Sequence, residues 1–339
     1  MGHVQPVEAK ISRPGNRSVK WEYDRPVLSP NSTMTPSSPA QPVHNYGIAM
    51  RATPRSPGTD AAATVNPVIS GWDEPAWQAF AAELDAWVSQ GRQASLWWRD
   101  DDAGQPGPAF DRLLSFAADV ALPLGLAVVP AWLAPEVAER IRAAPGPLVV
   151  LQHGFAHANH ETEIQPGAPK LRPAECGSAR PPQAVLEELA EGGARLQAAF
   201  GSRFLPVFVP PWNRIARAVF AGLPRLGYRA LSAFGPRAVA EPVPGLLQVN
   251  CHADPIVWRE GKRFAGASAT LERLRAHLAA RREGQADPSE PTGLLTHHRD
   301  MDPMFWAFLE ELLGRLRSHP AVAFPPLPSL LDAQPVALG

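Results

Sequence analysis

Short apolar runs alternate with helical patterns along most of this chain, and this alternation limits the possible folds more than any other feature. The runs SLWW, PLGLAVVP, PLVVLQ, FLPVFVP, YRALSAF, GLLQVN and TGLLT are typical of buried strands, and amphipathic stretches such as SATLERLRAHLAARREG separate them. This order predicts α/β architecture with a parallel sheet. The length of 339 residues suits a (β/α) barrel with seven strands, distorted or incomplete. A doubly wound open sheet is the alternative, but no GxGxxG or Walker A motif supports it.

Two stretches have the periodicity of continuous helices. DEPAWQAFAAELDAWVSQG has Asp73 at the N-cap position, apolar residues at helical spacing and Gly91 at its end. RIARAVFAGLPRLG, residues 214–227, has a similar pattern. We therefore expect one helix in each stretch.

The first 66 residues differ in composition from the rest of the chain. Segments such as DRPVLSPNSTMTPSSPAQPVH are rich in Pro, Ser and Thr and have little apolar periodicity. Such a segment cannot bury enough apolar surface to offset the entropy of ordering it. We expect a disordered extension over residues 1–66 and a single barrel domain over residues 67–335.

Composition excludes several classes of protein. Hydrophobic residues make up 45% of the chain and charged residues 19%, and the formal net charge is -1, so we expect neither nucleic acid nor an anionic membrane as a partner. We find no apolar stretch long enough to span a bilayer and no secretory signal, so we expect a cytoplasmic location. Cys176 and Cys251 form no CxxC pattern and predict neither a disulfide framework nor a zinc knuckle. Nothing in the sequence points to a protein partner.

Polar side chains gather where the predicted strands end. The C-terminal ends of parallel strands face one side of an α/β fold, and the loops that follow them build the active site. Five predicted strands carry acids, imidazoles or amides at that position, which is more than chance placement would give. These residues are Arg99–Asp102, His153, His157, His160, Pro210–Asn213, Asn250, His252, Asp254, His297, His298 and Asp300.

The stretch LVVLQHGFAHANHE indicates a metal site. His153 and His157 are four residues apart, a spacing at which two imidazoles can bind one metal ion. An aspartate from another strand would complete a ligand set that leaves positions open for water and substrate, which is typical of catalytic sites. A polar loop without a metal is the alternative for the histidines, and a helix-capping turn is the alternative for the aspartates. Three adjacent carboxylates repel one another, however, and a bound cation would relieve that repulsion.

Two of these motifs resemble the first motifs of the polysaccharide deacetylases with a NodB-homology domain, carbohydrate esterase family four. RDDDA is similar to their Thr-Phe-Asp-Asp-Gly motif and aligns Asp101 and Asp102 with its two aspartates. HGFAH is similar to their His-Ser/Thr-x-x-His motif and keeps both histidines, with Gly154 in place of the hydroxyl residue.

Three later motifs extend the resemblance to residues 93–320. FVPPWN keeps the prolines and an aromatic residue of the third motif, Pro211 and Trp212 among them. HADPIVW places Asp254 near Trp258, as in the fourth motif, and LLTH ends a strand with His297, as in the last. The order and spacing of the five motifs together are more specific than any one of them.

The resemblance implies a distorted (β/α) barrel and the hydrolysis of an N- or O-acetyl group on a carbohydrate. Asp102, His153 and His157 would bind one divalent metal, commonly zinc, with cobalt, nickel or manganese as alternatives. Asp101 would act as the general base on a metal-bound water, and His297 would protonate the leaving group. The residues expected to contact an acylated carbohydrate substrate are Pro211, Trp212, Asp254, Trp258 and His160.

The chain departs from the family pattern at one charged position. Val209 stands where the third motif has an arginine that orients the base, and Arg99 or Arg214 could take over that role. The missing arginine favours a non-catalytic carbohydrate-binding relative as an alternative, and a metallohydrolase of a non-sugar amide is another. Sugar faces stack on indole rings, so exposed tryptophans would favour a sugar substrate. The candidates are Trp132, Trp212, Trp258 and Trp306.

Overall fold

The structure is a computed structural model, and it describes residues 73–162, 172–259 and 261–332. The extension expected over residues 1–66 lies outside the described residues. Its disorder and the boundaries of the barrel domain therefore stay predictions.

Parallel strands form the centre of the fold. In the described part of the chain, one sheet contains eight parallel strands and a second contains two short antiparallel strands. The strands are β1 (Ala94–Ala103), β2 (Leu124–Val128), β3 (Leu148–His153), β4 (Phe204–Val209), β5 (Ala230–Leu231), β6 (Leu247–Gln248), β7 (Ile256–Val257), β8 (Arg263–Phe264), β9 (Thr292–Thr296) and β10 (Val322–Ala323).

The parallel sheet curls until its ends meet. Its order is β10-β1-β2-β3-β4-β5-β6, and β9 also pairs with β1. Beyond β6, Ala253 forms a bridge to Leu294 of β9, and its carbonyl accepts a 2.8 Å hydrogen bond from the N–H of Leu295. Seven strands, β1 to β6 and β9, thus form a distorted (β/α) barrel in which β5 and β6 have only two residues each. This architecture confirms the fold predicted from the sequence.

Helices pack around the barrel between the strands. In the described part of the chain, no helix is long and apolar enough to cross a membrane. The helices are α1 (Glu74–Ser89), α2 (Pro108–Val120), α3 (Pro135–Ala143), α4 (Pro182–Phe200), α5 (Arg217–Phe220), α6 (Ala267–Arg282), α7 (Pro303–Ser318) and α8 (Leu327–Asp332).

Strand β1 extends further than its apolar run predicts. SLWW was expected to end the strand before the acidic residues, but β1 continues through all three aspartates to Ala103. The pairing of β1 with β2 shifts between Asp100 and Ala103, which marks a bulge, and Asp102 within it has a φ of 68°. A bulge changes the direction of the side chains that it carries. The aspartates therefore belong to the strand and still face different surroundings.

The helix expected over residues 214–227 is broken. Its α-helical part, α5, has four residues, and a 3₁₀ turn over Leu223–Leu226 follows. Pro224 explains the break, because proline has no amide hydrogen to donate and its ring clashes with the preceding turn of a helix. The first helix begins as expected after Asp73, but the carboxylate of Asp73 accepts from the hydroxyl of Ser268 rather than from a helix amide.

Closure of the barrel leaves no room for a side chain at Gly293. A Cβ there would lie 2.4 Å from Trp97 Nε1 and 2.5 Å from Asn250 O. We expect Gly293→Ala to lower the free energy of unfolding by about 1–3 kcal/mol, the usual cost of overpacking. Gly314→Ala is the matched control, because a Cβ at that helical position meets nothing within 4 Å. Denaturant unfolding of both variants measures the difference, and equal stabilities would contradict the tight closure.

Candidate active site

Side chains from the ends of β1 and β3, which lie on either side of β2, converge at the C-terminal rim of the barrel. Asp102 Oδ1 lies 3.1 Å from His153 Nε2 and 3.3 Å from His157 Nε2. His153 is the last residue of β3, His157 follows in the next loop, and Asp102 belongs to the bulge of β1. One carboxylate oxygen and two imidazole nitrogens at these distances could bind a single divalent ion.

The hydrogen bonding of His153 suits a metal ligand. Its Nδ1 lies 3.0 Å from the carbonyl oxygen of Val209. A carbonyl oxygen can only accept, so Nδ1 carries a proton, and in the neutral form of the ring the lone pair of Nε2 is directed at Asp102. Metal-binding histidines are commonly oriented in this way by a bond from the other ring nitrogen.

The electrostatics of the group favour a positive charge between its members. Burial lowers the pKa of His153, but the carboxylates of Asp101 and Asp102 outweigh it and the pKa is raised overall. Burial raises the pKa of Asp102, but the hydrogen bond and charge of His153 hold that pKa well below its usual range. The pKa of His157 falls to about 4, because of burial and the neighbouring His153. The group therefore offers an ionised carboxylate at Asp102 and a neutral imidazole at His157, and a bound metal ion would have to displace a proton from His153.

Backbone strain is concentrated at this group. Six non-glycine residues among those described have a positive φ, and four of them lie here. Such conformations cost energy and persist where the surrounding structure enforces them, which is common in functional sites. The four residues are Asp102 (68°), His157 (55°), Trp212 (55°) and Asn213 (54°).

Asp101 is held by Arg99 in a buried ion pair with one hydrogen bond and a second close contact. Arg99 Nε lies 2.8 Å from Asp101 Oδ1, and Arg99 Nη2 lies 3.0 Å from Asp101 Oδ2. The two residues are separated by one position on β1, so both side chains point to the same face of the strand. Of the two arginines considered as replacements at Val209, Arg99 is thus the one that contacts Asp101. Arg214 instead donates to the carbonyl of Pro173.

The guanidinium of Arg99 is fixed on its far side as well. Its Nη2 donates to Asn213 Oδ1 at 3.0 Å, and its Nη1 donates to Ser232 Oγ at 2.6 Å. Asn213 follows β4 and Ser232 follows β5, so Arg99 connects three strand ends. Sequence reasoning missed these two partners, although Asn213 belongs to the FVPPWN stretch.

Asp100 has its own set of partners, separate from the group of Asp102, His153 and His157. It accepts from His298 Nδ1 at 2.5 Å, from the His298 N–H at 3.1 Å and from Thr296 Oγ1 at 2.6 Å. Asp100, the carboxylate that precedes Asp101 and Asp102 in the sequence, therefore fixes the end of β9. His298 therefore has a loop hydrogen-bonding role.

His297 also lies close to Asp101. Its Nε2 is 3.9 Å from Asp101 Oδ2, and its ring meets Trp258 edge to face, with the centroids 4.6 Å apart. Asp254 is buried and accepts from Trp258 Nε1 at 2.7 Å, while burial raises the pKa of its carboxyl group. Asp254 therefore positions Trp258, and Trp258 is the member of this pair that reaches the site.

Two further tryptophans flank His157. The ring centroid of Trp212 lies 4.4 Å from that of His157, and the centroid of Trp132 lies 5.4 Å from it. Both indoles are half-buried, so part of each ring stays accessible. Trp306 is buried in the core against Phe116 and is not part of the site.

The remaining predicted residues lie around the loop. The N–H of His160 donates to Ala174 O at 3.0 Å, and His160 does not belong to the ligand group. Pro211 is buried next to Gly154. The substrate contacts assigned to these two residues, and to Trp212, Asp254 and Trp258, stay predictions.

A second group of similar composition has a different character. His252 Nε2 lies 3.4 Å from Glu290 Oε1, and His277 Nε2 lies 3.7 Å from Glu290 Oε2. The N–H of Gly293 donates to His252 Nδ1, so the neutral ring carries its proton on Nε2, the nitrogen that faces Glu290. A protonated Nε2 has no lone pair for a metal, and the two imidazole rings are also stacked, with centroids 3.4 Å apart. In this arrangement His252 is a poor metal ligand, and the group is a buried cluster of two imidazoles around the Glu290 carboxylate.

Comparison with known proteins gives structural similarity only. No protein-family model matches the sequence, and no curated protein matches it. Family 4 carbohydrate esterases are among the solved structures similar to this chain. An acetyl xylan esterase from Clostridium thermocellum, in complex with a cobalt ion, is 18% identical, with a TM-score of 0.41 over 70% of this chain and 90% of that chain.

Two other solved structures have similarly low sequence identities and TM-scores. A family 4 carbohydrate esterase from Streptomyces lividans, in complex with acetate, is 13% identical, with a TM-score of 0.40 over 68% of this chain and 91% of that one. A CE4 family pseudoenzyme from Bacillus anthracis is 13% identical, with a TM-score of 0.42 over 71% of this chain and 66% of that one. The chemistry of this site is therefore inferred from its own geometry.

The buried ion pair gives a stability prediction. Arg99→Met would leave the Asp101 carboxylate buried without its partner, and we expect the free energy of unfolding to fall by about 3–5 kcal/mol. Arg99→Met combined with Asp101→Leu should recover part of this loss, because no unpaired charge remains. Denaturant unfolding of the two single variants and the double variant measures the coupling. Strictly additive losses would show that the pair is not coupled.

The second cluster gives a pH prediction. Burial lowers the pKa of His277 to about 4, below its ordinary 6.5, while Glu290, with a pKa of about 2, stays ionised. At pH values between about 4 and 6.5, His277 is protonated in the unfolded chain but not in the folded chain. The free energy of unfolding therefore falls as the pH decreases through this range. We expect His277→Gln to reduce this decline by up to about 1.4 kcal/mol per pH unit between pH 6 and pH 5. Denaturant unfolding curves across this pH range measure the decline in the free energy of unfolding. An identical change with pH in the wild type and in His277→Gln would refute the prediction.

Proposed function

We propose that this protein is a metal-dependent hydrolase that removes an N- or O-acetyl group from a carbohydrate. One observation supports this proposal above the others. The ligand group formed by Asp102, His153 and His157 lies directly beside two groups suited to proton transfer, Asp101 and His297.

A divalent metal fits the residues present. Two imidazole nitrogens and one carboxylate oxygen suit zinc, and cobalt, nickel or manganese are the alternatives. When bound, such an ion would polarise an acyl oxygen and lower the pKa of a water molecule. Three protein ligands leave coordination positions open, as a catalytic site requires.

The acid and base roles follow from the surroundings of the two groups. Arg99 holds both oxygens of Asp101 and so fixes the orientation of this carboxylate, which would accept the proton of the attacking water. His297 Nε2 lies 3.9 Å from Asp101 Oδ2, and His297 would protonate the departing amine or alcohol.

The aromatic rim supports a sugar as the substrate. Trp132 and Trp212 flank His157, and Trp258 flanks His297. Half-buried indole rings offer apolar faces on which a sugar ring can stack. We therefore prefer an acylated carbohydrate to a non-sugar amide.

A non-catalytic binding function has less support. Its basis in the sequence was Val209, which stands where the family motif has an arginine. Arg99 supplies Asp101 with a buried cationic partner, so the replacement at Val209 does not leave the base without a cation.

Metal content tests the ligand set. We expect the purified protein to bind about one divalent ion per chain, with zinc, cobalt and manganese as probes, and His153→Ala to lose it. His160→Ala is the matched control, because it removes an imidazole from the same loop outside the ligand group. Plasma mass spectrometry measures the content. Absence of metal from the wild-type protein after incubation with all three ions would refute the proposal.

Acetate release tests the reaction. We expect the metal-loaded protein to release acetate from N- or O-acetylated sugars, and Asp101→Asn to lower the rate by at least about 100-fold while keeping its metal. Acetylated non-sugar amides of similar size form the second arm of the assay. Turnover of the amides alone would favour the amide hydrolase, and metal binding without turnover of any substrate would favour a binding protein.

A further inference from the structure

The carboxylate of Glu175 is buried behind the loop that carries the histidine ligands. Glu175 is 2% exposed. Its Oε1 accepts from the N–H of Ala156 at 2.7 Å, and its Oε2 accepts from the N–H of Phe155 at 3.2 Å. These amides belong to two successive residues between His153 and His157, so a single carboxylate holds the middle of the metal-binding loop.

Other contacts complete the attachment of this loop. The N–H of Gly154 donates to Val209 O at 3.1 Å, and its carbonyl accepts from Gln152 Nε2 at 3.0 Å. The carbonyl of Phe155 accepts from the N–H of Ala131 at 2.9 Å. The two amides that remain, those of Phe155 and Ala156, are the ones that Glu175 binds.

Gly154 and Glu175 depend on each other. A Cβ at position 154 would lie 1.9 Å from Glu175 Oε2 and 2.6 Å from Pro211 Cγ, and Gly154 has a φ of 57°. Any side chain at this position would displace the carboxylate from the loop. The glycine that replaces Ser or Thr in HGFAH therefore makes room for a group that comes from elsewhere in the chain.

Glu175 itself is held firmly by its neighbours. The N–H of Ala174 donates to Asn159 Oδ1 at 3.1 Å, and the carbonyl of Ala174 accepts from the N–H of His160. On the other side, the carbonyl of Cys176 accepts from the N–H of Ala216 at 2.7 Å. The carboxylate is thus presented to the loop from an anchored segment.

We propose that Glu175 is a positioning residue for the metal site. By binding two successive amides, it fixes the left-handed turn at His157 that directs Nε2 toward Asp102. Hydrogen bonds to an ionised acceptor are stronger than those between neutral groups, which suits a carboxylate for this role. The inference rests on the proposed function, because it assigns Glu175 a role toward the metal that the ligand group would bind.

Cobalt binding to matched variants tests this role without substrate. Glu175→Gln keeps the size of the side chain but places an NH₂ group against one of the two amides. We expect it to bind Co²⁺ about tenfold or more weakly than the wild type and to change the visible spectrum of bound Co²⁺. Glu161→Gln is the control, because Glu161 lies in the same part of the chain and accepts from the N–H of Ala179 instead. Its affinity and spectrum should match those of the wild type.

Combination with His157→Ala distinguishes positioning from general stabilisation. If Glu175 acts through His157, then Glu175→Gln should have little further effect on Co²⁺ affinity once His157 is removed. An equal loss in both backgrounds would overturn the proposal, and so would a folded Glu175→Gln variant with the affinity and spectrum of the wild type. If Glu175→Gln does not fold, Glu175→Asp, which keeps the charge but shortens the reach, is judged by the same criteria. A wild-type protein that binds no Co²⁺ would overturn the proposed function as well, and that result is recognisable without any variant.

Discussion

The ion pair between Arg99 and Asp101 determines how the rest of the rim is arranged. Arg99 is fully buried, and a buried charge is tolerated only when it is paired and hydrogen-bonded. The pair places Asp101 on the inner face of β1, so alternation along the strand sends Asp100 to the opposite face, where His298 binds it. The bulge then turns Asp102 toward His153 and His157. Three successive carboxylates thus acquire three different environments.

The protonation of a single ring nitrogen separates the two histidine clusters. The groups around His153 and His252 both contain two imidazoles and one carboxylate. At His153 a carbonyl accepts from Nδ1, so the lone pair of the neutral ring lies on Nε2, whereas at His252 an amide donates to Nδ1 and the proton of the neutral ring lies on Nε2. The difference lies in which backbone group faces the ring, so residue types and spacing alone could not reveal it.

The sequence was sufficient for features with a strong local signal. Apolar runs predicted the barrel strands, and the motifs predicted that Asp102 lies close to His153 and His157, as it does. Features without periodicity were missed, such as the two-residue strands β7 and β8. The break at Pro224 was a readable signal that the helical pattern concealed. The role of Glu175 could not be predicted, because no spacing links it to His153 and only the folded chain brings them together.

Two departures from the family motifs are compensated in the same physical way. Val209 removes a cation from the third motif, and Arg99 returns one to Asp101 from β1. Gly154 removes a hydroxyl side chain from the second motif, and Glu175 uses the space to bind the loop amides. In both cases the site retains a charge or a hydrogen bond at the required place while its source in the sequence changes. A motif search compares residues at fixed positions, so it registers both changes as losses, although Arg99 contacts Asp101 and Glu175 binds the loop amides in this structure.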